Sequence, residues 1–292
     1  MTTTWHELAA PRALPGLFLR AALRRGVRGK QLPDLGLRCT LSADPKHLAR
    51  YRQVCGIADS AYLPPAYPHV MAFALQMQLL TDPSFPLPLL GLVHVANRIR
   101  VLRPLGGLGP FTLSVHLGEL QPHSKGAVFS LITRLEDQLG LFWEGESRML
   151  CRGLQLPGTP PSHTADEPVP LQELAQWAAP ANTGRRYARV AGDYNPIHLY
   201  AASAKLFGFS RAIAHGLWNK ARAMAELDAL LPKAGYEVNV RFQQPVLLPS
   251  AVTLLASAPG PSGQLCLQER DGMVHMSGHW QPLKTCSATA KA

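Results

Sequence analysis

Two stretches of this chain repeat each other, with a proline-rich segment between them. Tyr51-Arg-Gln-Val-Cys-Gly56 matches Tyr187-Ala-Arg-Val-Ala-Gly192, Pro68-His69-Val70 matches Ala214-His215-Gly216, and Arg100-Val-Leu-Arg-Pro104 matches Pro245-Val-Leu-Leu-Pro249. Three matches in one order imply a tandem duplication, so each half should build the same unit. Residues 154–170 (LQLPGTPPSHTADEPVP) hold five prolines, which remove amide donors and stiffen a linker. We expect a basic N-terminal extension over 1–35, a first unit over 36–153, the linker, a second unit over 171–286 and a tail over 287–292. The 292 residues suit two domains of about 100–200 residues each.

Within each half the pattern is a turn, a mostly apolar helix, then strands. Val238, Val240 and Phe242 alternate with polar neighbours, as do Val93, Val95, Ile99 and Val101 in the first half, the period of half-buried strands. Each half ends in two strand-like runs, 128–135 with 139–150 and 264–268 with 273–280; Asp271-Gly272 marks a hairpin. An Ala- and Leu-rich helix is expected over 217–231. The run His69–Leu80 has no charged side chain, so as a helix it must be covered on most sides. An antiparallel sheet wrapped around one helix does that, which gives an α+β architecture with two such units.

Charge narrows the function classes. The net charge is +10, and residues 1–30 carry Arg12, Arg20, Arg24, Arg25, Arg28 and Lys30 against Glu7 alone. No zinc-finger spacing, RNA-recognition motif or basic zipper accompanies them, so nucleic acid is not the expected partner. Residues 15–28 form a basic amphipathic stretch, read as an extra helix packed on the first unit. The start of the chain lacks a secretory pattern, and no apolar run reaches the length of a membrane span. Five cysteines without a CxxC signal neither a disulfide framework nor a zinc site, so a reduced, cytoplasmic protein is expected.

The stretch that could do chemistry is Ala191-Gly192-Asp193-Tyr194-Asn195-Pro196-Ile197-His198. Asn195 is expected as N-cap and Pro196 as first helical residue, with the helix running through Tyr200, Ala204 and Phe207 to Gly208. A carboxylate, an amide and an imidazole then share one helix mouth. The helix end should favour a neutral imidazole and an ionised carboxylate. Gly216 opens a second helix, whose free first-turn N–H groups suit a developing oxyanion, and its lack of a Cβ would let a ligand approach. His215 alone reads as a core histidine. An acid/base pair plus an oxyanion donor is what making or breaking a C–H bond beside a carbonyl requires.

These residues, from Tyr187 through Gly-Asp-Tyr-Asn-Pro-Ile-His198 to Ala-His-Gly216, closely resemble the signature of the MaoC-like dehydratases, or R-specific enoyl-CoA hydratases (hydratase 2). The resemblance covers 170–285 in detail and 36–153 as a degenerate copy. It implies a tandem (double) hot-dog fold with one live site. It further implies that Asp193 and His198 are the catalytic pair, that Asn195 holds their loop, and that the Gly216 N–H polarises the thioester carbonyl. The implied reaction is reversible: an R-3-hydroxyacyl thioester, on CoA or an acyl carrier protein, loses water to a trans-2-enoyl thioester. No metal or redox cofactor is implied. Which of the pair takes the C2 proton stays open, with His198 assigned to it and Asp193 to the hydroxyl. Ala191 departs from the family, which usually has Ser, Thr, Gly or Cys there. After Gly56 the first half has no Asn-Pro and no matching His, and its short helix is deleted; Asp59 there reads as a solvated loop residue. The rival functions are a hot-dog thioesterase and a non-catalytic acyl-thioester or lipid binder. A monomer, as an internal pseudo-dimer, and a homodimer both fit.

Overall fold

The computed structural model describes residues 3–161, 167 and 169–283; most of the 154–170 linker is included, and the expected 287–292 tail lies outside these. Eleven strands form one sheet. The first half supplies β2 (Leu35–Leu41), β3 (Leu92–Val101), β4 (Phe111–His123), β5 (Gly126–Asp137) and β6 (Gly140–Cys151). The second supplies β7 (Gln172–Ala179), β8 (Tyr236–Phe242), β9 (Ser250–Ala256), β10 (Gly263–Gln268) and β11 (Val274–Pro282). With the edge strand β1 (Thr4–Leu8), the order is β1-β2-β4-β5-β6-β3-β8-β11-β10-β9-β7. Leaving β1 aside, each half reads outward from its second strand in the same way. The duplication is thus visible as a mirror about the β3–β8 seam, antiparallel from Ala96↔Arg241 to Val101↔Tyr236. This is the double hot-dog architecture.

Each half wraps one helix. α3 (Tyr67–Leu80) is the charge-free run; Ala72, Leu75 and Leu79 are fully buried against β2, β4 and β5. Its counterpart α6 (Gly216–Glu226) ends earlier than 231, and Leu227–Leu231 continue only as a turn closed by Leu231 N to Leu227 O, 3.0 Å. The strand periods hold at β8, where Tyr236, Val238 and Val240 are buried. In β3 they hold only in part. A register shift between His94 and Ala96 leaves Val93 and Val95 half-buried, and Asn97 occupies an inward position beside Ile99 and Val101.

That inward Asn97 has a purpose at the seam. Lys220 of α6 is fully buried and donates to Asn97 O (2.9 Å), Asn97 Oδ1 (2.7 Å) and Val238 O (3.0 Å). One side chain of the second half thus bridges both strands of the seam. α6 also reaches α2 (Pro45–Cys55): Trp218 Nε1 donates to Val54 O at 3.0 Å and Arg222 Nη1 to Gly56 O at 3.1 Å, satisfying carbonyls at the end of that helix.

The basic N-terminal segment is built into the molecule. β1 runs parallel to β2, and α1 (Leu14–Leu23) rests on α3, with Leu17 and Ala21 buried against Met77. The helix stops short of residue 28, because Arg24 turns away to donate to Phe85 O (3.1 Å) and Thr81 O (3.0 Å) at the C-terminal end of α3. No helix among the described residues is long and apolar enough to cross a membrane.

Candidate active site

α4 (Thr183–Ala191) leads into the loop that carries the signature. Gly192 ends it with φ 76°, a left-handed conformation that glycine adopts without strain, and a Cβ there would also lie 2.7 Å from Leu14 Cδ1. Asp193 Oδ1 accepts from Asn195 N at 3.2 Å, and Asn195 Oδ1 accepts from Ile197 N at 3.4 Å. Asn195 is therefore the N-cap, as expected. The helix after it is not continuous. A single 3-10 turn, Pro196–His198, is followed by an extended Tyr200 (φ −144°, ψ 152°) and then α5 (Ala201–Lys205). Side chains take up the carbonyls freed by the break: Ser203 Oγ donates to Pro196 O at 2.6 Å, and Arg185 Nη1 to Leu199 O at 2.7 Å.

The fold brings Asp193, His198 and His215 together, with one potential ligand atom of each within 4.8 Å of the others. His198 Nδ1 lies 2.8 Å from Ile213 O, so Nδ1 carries the proton and donates, leaving Nε2 with a free lone pair. His215 is the N-cap of α6 and stacks on His198 with ring centroids 3.6 Å apart and planes at 24°. Its Nε2 donates to Asp193 O at 3.0 Å and lies 3.8 Å from Asp193 Oδ2. Gly216, the next residue, offers a first-turn N–H without an intrahelical acceptor. Its missing Cβ makes room for Phe242 as much as for a ligand, since a Cβ would lie 2.9 Å from that ring.

Burial governs the electrostatics. It lowers the basicity of His198, with nearby Asp193 opposing, and holds His215 well below the ordinary imidazole range. It raises the Asp193 carboxyl, opposed by His198 and the Asn195 N–H. The neutral imidazole was expected, but from a helix dipole; the ionised carboxylate was expected and is disfavoured instead. The reason is that a three-residue turn has almost no dipole, so desolvation decides. About a third of the Asp193 side chain still reaches solvent, so the carboxyl is not sealed off.

Sequence reasoning missed three contributors. His215 is buried, as a core histidine would be, yet it links Asp193 to His198. Gly184 of α4 allows the 3-10 turn to lie flush, since a Cβ would fall 1.9 Å from His198 O. α1 covers the loop: Phe18 meets Tyr194 edge to face at 6.4 Å. Only the side-by-side placement of His215 and Gly216 hinted at the first, and no local signal marks the other two. Asp59 in the first half is 94% exposed and paired with Arg52, and belongs to no such cluster among the described residues. A metal fits the trio poorly, because stacked imidazoles aim their lone pairs side by side and His215 Nε2 is committed to a carbonyl.

A double hot dog whose second half holds two buried histidines and a half-buried aspartate beside a helix N-terminus defines a protein of the thioester dehydratase class. The chain belongs to the MaoC-like dehydratase family. Residues 155–277 match the model of the MaoC like domain. Over 263 residues the chain is 33% identical to 3-hydroxyacyl-thioester dehydratase X of Mycobacterium tuberculosis, covering 88% of this chain and 92% of that one. The crystal structure of HtdX from M. tuberculosis superposes with a TM-score of 0.74 at 29% identity, over 85% of this chain and 100% of that one. A peroxisomal enoyl-CoA hydratase 2 of Arabidopsis thaliana is 28% identical over 158 residues, 47% of either chain.

Proposed function

We propose that this protein catalyses the reversible hydration and dehydration of acyl thioesters in fatty-acid metabolism, converting an R-3-hydroxyacyl thioester, on CoA or a carrier protein, to the trans-2-enoyl thioester. The observation that carries this reading is the free Nε2 of His198, fixed by the Nδ1 bond to Ile213 O and close to a carboxyl that burial inclines to protonate. His198 Nε2 takes the C2 proton. Charge gathers on the thioester oxygen, where the Gly216 N–H meets it; such donors are usually the largest part of the stabilisation. Protonated Asp193 gives its proton to the C3 hydroxyl, which leaves as water as the C2–C3 double bond forms. The proton on His198 then returns to Asp193 through the pair, which titrates as a unit. Asn195 holds the loop that presents Asp193. The β3–β8 seam joins both halves of the pseudo-dimer, so one chain is a sufficient catalytic unit, whether alone or in a homodimer.

The test is a trans-2-enoyl-CoA incubated with the protein. The conjugated-thioester absorbance should fall with no free thiol released. Asp193→Asn and His198→Ala should each lower kcat by about 10²–10⁴-fold. Released thiol would make the protein a thioesterase, and wild-type rates in both variants would end this assignment of roles.

A further inference from the structure

The outer face of α1 is unusual for a helix so close to a reaction centre. Its inward side chains, Leu17 and Ala21, are spent on α3. Outward it shows Leu19 (63% exposed) and Leu23 (73% exposed), one turn apart. Arg20 lies on the same helix, and Arg25, Arg28 and Lys30 follow in the segment just after it; all four are exposed, and none forms an ion pair among the described residues. Arg28 and Lys30 also line a groove of about 510 Å³ together with Gln31, Ser84 and Pro86. Asp82, whose charge acts on Arg24, is engaged by Ser84, through bonds of 2.9 Å from N and 2.6 Å from Oγ. The other end of the same helix touches the site loop, through Leu14 at Gly192 and Phe18 at Tyr194. From Phe18 to Leu23 is only about 8 Å along the axis.

We infer that this face of α1 docks an acidic carrier protein, which presents its thioester to the Asp193 loop on a flexible arm. The inference rests on the hydro-lyase reading above and names the partner that delivers its substrate. Unpaired arginines supply charge complementarity and steer the encounter. The two leucines tell a protein surface from a nucleotide: the phosphates of free CoA would need the cations alone. A membrane is the weaker partner, because the apolar stripe that would enter lipid is already buried against Met77 and its neighbours.

The test compares one acyl group, trans-2-octenoyl, on a purified acyl carrier protein, on CoA and on a short pantetheine mimic. In Arg20→Glu/Arg25→Glu/Arg28→Glu, KM for the carrier-bound substrate should rise at least about tenfold with kcat unchanged, and added salt should produce the same loss in the wild type. Turnover of the mimic should stay at the wild-type level. Leu19→Ser/Leu23→Ser should weaken the carrier reaction and spare the CoA reaction. Equal loss for carrier and CoA, or no loss for either, would overturn the inference, as would charge-dependent binding to phosphatidylglycerol vesicles without binding to the carrier. Titration of the uncharged carrier against wild type and variant reads docking without catalysis, so a protein that binds the carrier but turns over no thioester would refute the hydro-lyase reading alone.

Discussion

Burial holds His198 and His215 below the ordinary imidazole range, and it lowers other imidazoles too, most of all His69 and His94. His69 and His94 lie at the start of α3 and on β3, with rings 6.5 Å apart, and burial lowers them from 6.5 to about 3 and about 4. All four bind protons more readily in the unfolded chain, so stability should rise with pH through this window and fall as pH drops from about 6.5 toward 4. Asp193 works the other way, since its raised carboxyl favours the folded state at low pH, but it is one group against several, because burial lowers His116 and His123 as well. Urea midpoints between pH 7 and 4.5 should fall steadily, and His94→Gln should flatten the slope; an unchanged slope would remove these imidazoles from the account. The same burial places the acid limb of the pH–rate profile below the ordinary imidazole value, as kcat/KM against pH will show. Gly184 sets a steric limit at this scale. Its Cβ would meet backbone, which cannot swing aside, so Gly184→Ala should cost about 1–3 kcal/mol in chemical denaturation and lower kcat by displacing His198.

Among the elements, helix ends decide most. The Asn-Pro start of the 3-10 turn was readable because capping is local: the side chain of Asn195 bonds an amide two residues on. The break at Tyr200 was not, because it rests on Ser203 reaching back seven residues and on Arg185 reaching across from α4. α3 was readable from its lack of charge, but the group that closes its end comes from α1. Arg24→Ala should therefore destabilise by about 1–3 kcal/mol, since it strips partners from buried carbonyls, and equilibrium unfolding should show this with no change in kcat. An unchanged unfolding midpoint would mean that water replaces the guanidinium freely. Alternation predicted β8 well and β3 only beyond Ala96, where the register shift ends; such an insertion leaves no trace in a period of two.

At the scale of the whole molecule the two halves are bound by hydrogen bonds rather than by the linker. The seam pairs six residues of β3 with six of β8, and Lys220, Trp218 and Arg222 cross it or its flanks. A protease site placed within 154–170 should allow cleavage without separating the fragments, and the cleaved protein should retain thioester hydration. Fragments that part on gel filtration would show that the covalent link is needed.

Local chemistry and periodicity were enough to read the duplication, the α+β class, the two wrapped helices and the Asp-x-Asn-Pro-x-His loop, because each depends on neighbours a few residues apart. Only the tertiary structure could place His215 between Asp193 and His198, lay α1 across the loop and put a buried lysine at the seam. Those facts depend on contacts between segments far apart in the chain, and on desolvation, which no short stretch of sequence sets by itself.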